Sequence, residues 1–73
     1  MKKIKFIGWV KGMNKIKFIH LLRNNTQLSL KEAKNIKDRI VDNEVIEILV
    51  EPAIAQMILS KSKIYGVFSE ISS

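Results

Sequence analysis

His20 is the only histidine of a 73-residue chain that contains no cysteine. Without cysteine there is no thiolate zinc site, no sulfur nucleophile and no disulfide framework. A metal at His20 would need carboxylate co-ligands, and no Asp or Glu stands at a ligand spacing from it. Ser29 has no histidine base near it in the pattern. Its place before Leu30-Lys31-Glu32 is instead that of a helix N-cap closing a capping box, with Glu32 reaching back to the serine amide. Glu44, Glu47 and Glu51 resemble a row of carboxylates, but on an alternating strand they read as a solvated face. Gly8, Gly12 and Gly66 are too scattered for a phosphate-binding loop, and no catalytic dyad or cofactor fingerprint appears. The expectation is a protein that is not an enzyme, with no cofactor and no metal.

Charge and composition bound the partners. The net charge is +6, carried mostly by lysine, and hydrophobic residues make up 47% of the chain. That balance suits a folded globule rather than a disordered segment. At this length one domain, residues 1–73, is expected, with a small core. The positive excess allows an acidic protein, a nucleic acid or an anionic surface as partner, or lysines that merely solvate the surface. No RGG or SR tract, zinc finger or ring-stacking consensus is present, so the nucleic-acid case rests on charge alone. No apolar run reaches about 18 residues, and lysines interrupt the N-terminal stretch, so neither a membrane span nor a secretory leader is expected. The chain reads as cytoplasmic.

The elements follow from periodicity. The pentapeptide Lys-Ile-Lys-Phe-Ile occurs twice, at 3–7 and 15–19. The first copy continues into Gly8-Trp9-Val10, alternates, and ends at Gly12, so a strand is expected. Ile4, Phe6 and Val10 share one parity; Lys3, Lys5, Ile7 and Trp9 share the other. Trp9 either packs beneath a helix, the favoured reading, or anchors a partner. The second copy follows Asn14, an N-cap residue, and runs into His20-Leu21-Leu22-Arg23 without a breaker, which makes it a helix. On a helical wheel Phe18, Leu21 and Leu22 fall on one arc, while Ile16, Ile19, His20 and Arg23 fall on another. After the polar Asn24-Asn25-Thr26-Gln27, a second helix is expected to about Val41, with Ala33, Ile36 and Ile40 buried, Lys34 paired to Asp38, and Asp42-Asn43 closing it. Glu44 to Glu51 alternates as a strand with Ile46, Ile48 and Val50 inward. Pro52 opens a helix from Ala53 to Lys61 that buries Ile54, Met57 and Ile58. Ile64 to Ile71 reads as a last strand, with a bend at Gly66. The fold class is α+β: a two-layer β-α-α-β-α-β domain with three helices on one face of a three-stranded sheet.

From Asn14 through Arg23, and on to Leu28-Ser29-Leu30-Lys31-Glu32-Ala33-Lys34, the chain resembles the C-terminal domain of the bacterial ribosomal stalk protein. That family reads approximately N-K-[IV]-x-V-I-K-x-V-R, a short linker, then G-L-G-L-K-E-A-K. The match covers about twenty residues without gaps; its most specific part is Leu30-Lys31-Glu32-Ala33-Lys34. The resemblance implies the same element order. It also implies a basic and apolar surface on the first two helices that docks onto translation GTPases. Lys15, Ile19, Arg23, Leu30 and Lys34 match that surface, as does Glu32. His20 stands where the family has a lysine, and Asn24, Gln27 and Ser29 stand where the linker glycines would be. The family's dimerisation domain and hinge are missing, so a stand-alone relative is expected.

The function expected is a non-catalytic module that binds another protein through Lys15, Ile19, His20, Arg23, Leu30, Lys31 and Lys34. A translation GTPase or similar factor is the first candidate. The alternatives are an immunity or antitoxin protein that covers a toxin on the same scaffold, and a basic nucleic-acid binder.

Overall fold

The two Lys-Ile-Lys-Phe-Ile copies take different structures and then meet. In the computed structural model, which describes residues 1–72, the elements run β1 (Lys2–Trp9), α1 (Lys15–Asn25), α2 (Leu30–Val41), β2 (Ile46–Val50), α3 (Pro52–Ile64) and β3 (Val67–Ser72). The sheet order is β2-β1-β3, with both neighbours antiparallel to β1. Helices α2 and α3 lie on the sheet, and α1 lies against both of them. This is the α+β arrangement that the periodicities imply.

Strand period explains the first copy. Ile4 and Phe6, two residues apart, both turn inward and are fully buried, while Lys3 and Lys5 turn outward to Glu47 at 3.4 and 3.7 Å. Helical period explains the second. Phe18 and Ile19 go inward, and Ile16 is left 69% exposed. Phe6 and Phe18, the fourth residue of each copy, then meet edge to face, with ring centroids 5.4 Å apart and an interplanar angle of 88°. The remaining core is Met13 with the aliphatic Leu21, Leu22, Ala33, Ile40, Ile46, Val50, Ala55, Ile58 and Val67.

Four expectations need correcting. Strand β1 carries a β-bulge: Phe6 opposes Ser69, yet Gly8 opposes Phe68, so Ile7 is the extra residue. The bulge reverses the parity beyond it. Trp9 therefore opposes the buried Val67 and packs against the core on the helix side, and its indole Nε1 donates to Asn43 Oδ1 at 3.3 Å. On the outer face the Phe68 ring covers Gly8, 3.6 Å from where a Cβ would stand. Second, α3 continues to Ile64 and β3 begins only at Val67. The extra helical turn buries Ser62, whose hydroxyl donates to the Leu59 carbonyl and lies 3.1 Å from the Ser69 hydroxyl on β3. Third, Asp38 pairs with its neighbour Lys37 rather than with Lys34. Fourth, Ile19 is in the core, as taken up below.

Two turns hold the ends of the elements. Helix α2 closes in a Schellman motif: Glu44 N–H reaches the Arg39 carbonyl and Asn43 N–H the Ile40 carbonyl, with Asn43 at φ +67°. A hydrophobic contact commonly staples the ends of this motif; here Arg39 and Glu44 do so as an ion pair at 3.2 Å. At the same end of the sheet the β1–α1 loop docks on the α3–β3 turn. Val10 N–H bonds the Gly66 carbonyl and Asn14 N–H the Tyr65 carbonyl, both at 2.9 Å. Gly66 sits at φ +92°, and a Cβ there would stand 2.9 Å from Val10 Cγ2 and 3.1 Å from the Met13 Cα. Gly12 also has positive φ, +97°, but open space around it. Gly66→Ala should therefore cost about 2 kcal/mol or more, and Gly12→Ala only about 1 kcal/mol, since it carries the left-handed strain without the clash. Urea denaturation of the two variants measures the difference.

Candidate functional site

Helix α1 begins at Asn14, whose side-chain oxygen accepts from Lys17 N–H at 3.0 Å. It ends at Thr26. The Thr26 backbone N–H and hydroxyl both reach the Leu22 carbonyl, and the same hydroxyl accepts from Leu28 N–H at 3.2 Å. Asn25 Nδ2 donates to the Leu21 carbonyl at 2.8 Å. Side-chain hydrogen bonds thus fix the α1–α2 corner where the resembled family uses glycines. Three residues on, Ser29 Oγ accepts from Glu32 N–H, and Glu32 Oε1 accepts from Ser29 N–H, both at 3.1 Å, so the capping box is complete.

These caps set out the surface residues. Lys15, His20, Arg23, Lys31 and Lys34 are exposed, and Leu30 is 41% exposed. Ile19 is not among them: it is 8% exposed and belongs to the core with Phe18, Leu21 and Leu22. The cause is that α1 packs against two helices rather than one, which widens its buried arc past Leu22 to the next position. Ile16 takes the exposed role. With His20 and Arg23 it lies within about 60° of arc on the outer side of α1. On α2 the same geometry sets Leu30 and Lys34 along one side, beside the half-buried Lys37. Of the two isoleucines on the outward arc of the wheel, the structure leaves Ile16 exposed and draws Ile19 into the core. The signal for Ile16 was available, because it lies opposite Phe18 on the wheel.

Charge is divided sharply. Among the described residues the ion pairs are Lys3 and Lys5 with Glu47, Lys37 with Asp38, and Arg39 with Glu44. All involve the sheet or the far end of α2. Lys15, Lys17 and Arg23 on α1, and Lys31 and Lys34 on α2, make none. Helix α1 contains no Asp or Glu at all.

The rest of the surface offers little chemistry. His20 stands alone, and no group of three His, Cys, Asp or Glu side chains among the described residues could hold a metal ion. Ser29 Oγ is engaged in its cap. The glutamate row is dispersed: Glu47 serves two lysines, Glu44 serves Arg39, and Glu51 precedes α3. An open cleft of about 570 Å³ lies between the α1–α2 corner and the end of β2, lined by Asn24, Asn25, Gln27, Leu49, Val50 and Ile54 among others. It continues into a smaller hollow of about 410 Å³ bounded by Leu28, Glu32 and Ile48. Neither presents an acid–base pair. No helix among the described residues is long and apolar enough to cross a membrane.

Fold and surface together define a small α+β domain whose first two helices carry cations outside the ion pairs of the described residues, with Ile16 exposed on α1 and Leu30 on α2. Comparison with family models, with curated proteins and with solved structures returned no match to this chain.

The capping box has a pH signature. The backbone N–H of Ser29, and then its hydroxyl, hold the Glu32 carboxyl below the ordinary carboxylate range. A depressed folded-state value means that the cap stabilises α2 fully above the unfolded carboxylate pKa. That stabilisation is lost as pH falls through the folded value. Ser29→Ala should cost about 1 kcal/mol at neutral pH. It should flatten the acid limb of the stability curve only in part, because the backbone N–H at position 29 remains, whereas Glu32→Gln removes that pH dependence altogether; denaturant titrations across the acid range read both effects.

Proposed function

We propose that this chain is a non-catalytic module that binds a protein partner through the outer side of α1 and the first half of α2. The observation that carries the reading is the exposure of Ile16, at 69%, among basic side chains that make no ion pair among the described residues. An exposed aliphatic residue ringed by unpaired cations fits a partner helix with an apolar stripe and acidic flanks. Lys15, Arg23, Leu30, Lys31 and Lys34 contribute to that surface, and His20 lies within it. Ile19 supports it from beneath, as part of the core. The resemblance to the stalk-protein domain supplies the first partner to try, a translation GTPase. The rigid, glycine-free corner argues that the fit differs in detail from that of the family.

A second reading draws on the same cations. Lys2, Lys11, Lys61 and Lys63 are also outside the ion pairs, so the unpaired charge extends beyond the helical corner, as phosphate binding would use it.

Titration of purified elongation factor against the immobilised chain tests the first reading. Binding is expected with the wild type. Arg23→Glu, Lys34→Glu and Ile16→Asp should each weaken it by about tenfold or more while leaving the circular-dichroism spectrum unchanged. A wild-type chain that binds no factor, yet binds single- or double-stranded nucleic acid with a steep salt dependence, would replace the first reading by the second.

A further inference from the structure

Both outer strands of the sheet have a free edge, and they are not alike. Strand β3 is offset against β1 by the bulge at Ile7, and its Ser69 is tied to Ser62 beneath it. Strand β2 is regular: its five residues pair with β1 without interruption, from Val50 opposite Lys2 to Ile46 opposite Phe6. It carries no proline, bulge or lysine, and Glu47 is its one charged residue. From Glu44 to Glu51 there is no Lys or Arg at all, in a chain of net charge +6. Along the end of β2 the α1–α2 corner stands off and leaves the open cleft beside Leu49 and Val50. Leu49, 62% exposed, and Val45, 56% exposed, flank this edge without cover.

We propose that β2 pairs antiparallel with β2 of a second copy of this chain, about a two-fold axis at Ile48, joining two three-stranded sheets into one of six strands. The register is what selects the occupant. Centred on Ile48, Ile46 faces Val50 of the second copy and Ile48 faces itself, all on the helix side. On the open side Glu47 faces Leu49 of the second copy, and Glu51 faces Val45. No carboxylate opposes another. Moving the axis to Glu47 sets Glu47 against itself, and moving it to Leu49 sets Glu47 against Glu51. Like charges directly opposite on neighbouring strands are destabilising, so one register stands out. Glu47 is already paired with Lys3 and Lys5 of its own copy, so its charge is offset where the two edges meet. The pairing leaves the outer side of α1 free, and does not depend on the function proposed for that surface.

Sedimentation equilibrium over a concentration series, combined with amide hydrogen exchange, tests the pairing. The wild type should dimerise, and protection of the amides of residues 46–50 should rise with concentration. Leu49→Glu places a carboxylate opposite Glu47 twice per dimer and should weaken association by at least about tenfold. Leu49→Lys meets Glu47 with opposite charge and should stay within about threefold of the wild type. Position 49 is exposed and faces Lys3 on β1, so Leu49→Glu gains an opposite charge within the fold, while Leu49→Lys meets a like charge there and should fold slightly less stably; association is therefore compared on the folded fraction of each variant. If Leu49→Glu does not fold, the exchange pattern of the wild type decides the matter alone. A wild type that remains monomeric at millimolar concentration overturns the proposal. So do equal losses for the Glu and Lys variants, or concentration-dependent protection in β3 instead of β2.

Discussion

The edge-to-face contact of Phe6 with Phe18 is the joint on which the arrangement turns. It ties the central strand to the one helix that does not itself lie on the sheet. Such a ring pair contributes about 0.5–1.5 kcal/mol beyond the burial of its surface. Its larger effect is geometric. With Phe18 directed at Phe6, the rotation of α1 is set. Leu21, Leu22 and Ile19 must then face α2 and α3, and Ile16, His20 and Arg23 must face away. The position of the candidate surface is thus a consequence of core packing.

The same packing explains the division of charge. Antiparallel pairing sets Lys5 of β1 opposite Glu47 of β2, with Lys3 close enough to share it. The Schellman closure of α2 brings Arg39 against Glu44. Those contacts use the acidic residues that the fold places near cations. Helix α1 contains no carboxylate of its own, and Glu32, the one acid in the first turn of α2, is committed to its cap. The basic corner is therefore what remains after the internal pairs have formed, and its field acts on whatever approaches from outside.

Most of the architecture was legible in the chain because it rests on local rules. Asn14 and Ser29 announce their helices through side-chain caps, Pro52 opens α3, and the alternation of Ile46, Ile48 and Val50 marks β2. The two fates of Lys-Ile-Lys-Phe-Ile were legible as well, from the residues that follow each copy. What escaped depends on tertiary context. The bulge at Ile7 leaves no signature in an alternating run, yet it reverses the side on which Trp9 lies. The wide buried arc of α1 reflects two neighbouring helices, which no wheel of α1 alone contains, so of the two isoleucines on the outward arc Ile16 stays outside and Ile19 does not. The turn from α3 into β3 is set by Gly66, which accepts the close approach of Val10 and Met13. The sequence reading took that glycine for a bend within a strand.

Solution NMR tests the central claim most directly, through the nuclear Overhauser contacts of the two isoleucines and two phenylalanines of the repeated pentapeptides that decide the rotation of α1. The account requires ring-to-ring contacts between Phe6 and Phe18, core contacts for the Ile19 methyl groups, and no long-range contacts for those of Ile16. Core contacts at Ile16 with Ile19 free in solvent would mean that α1 is turned the other way, and the surface described for it would not exist.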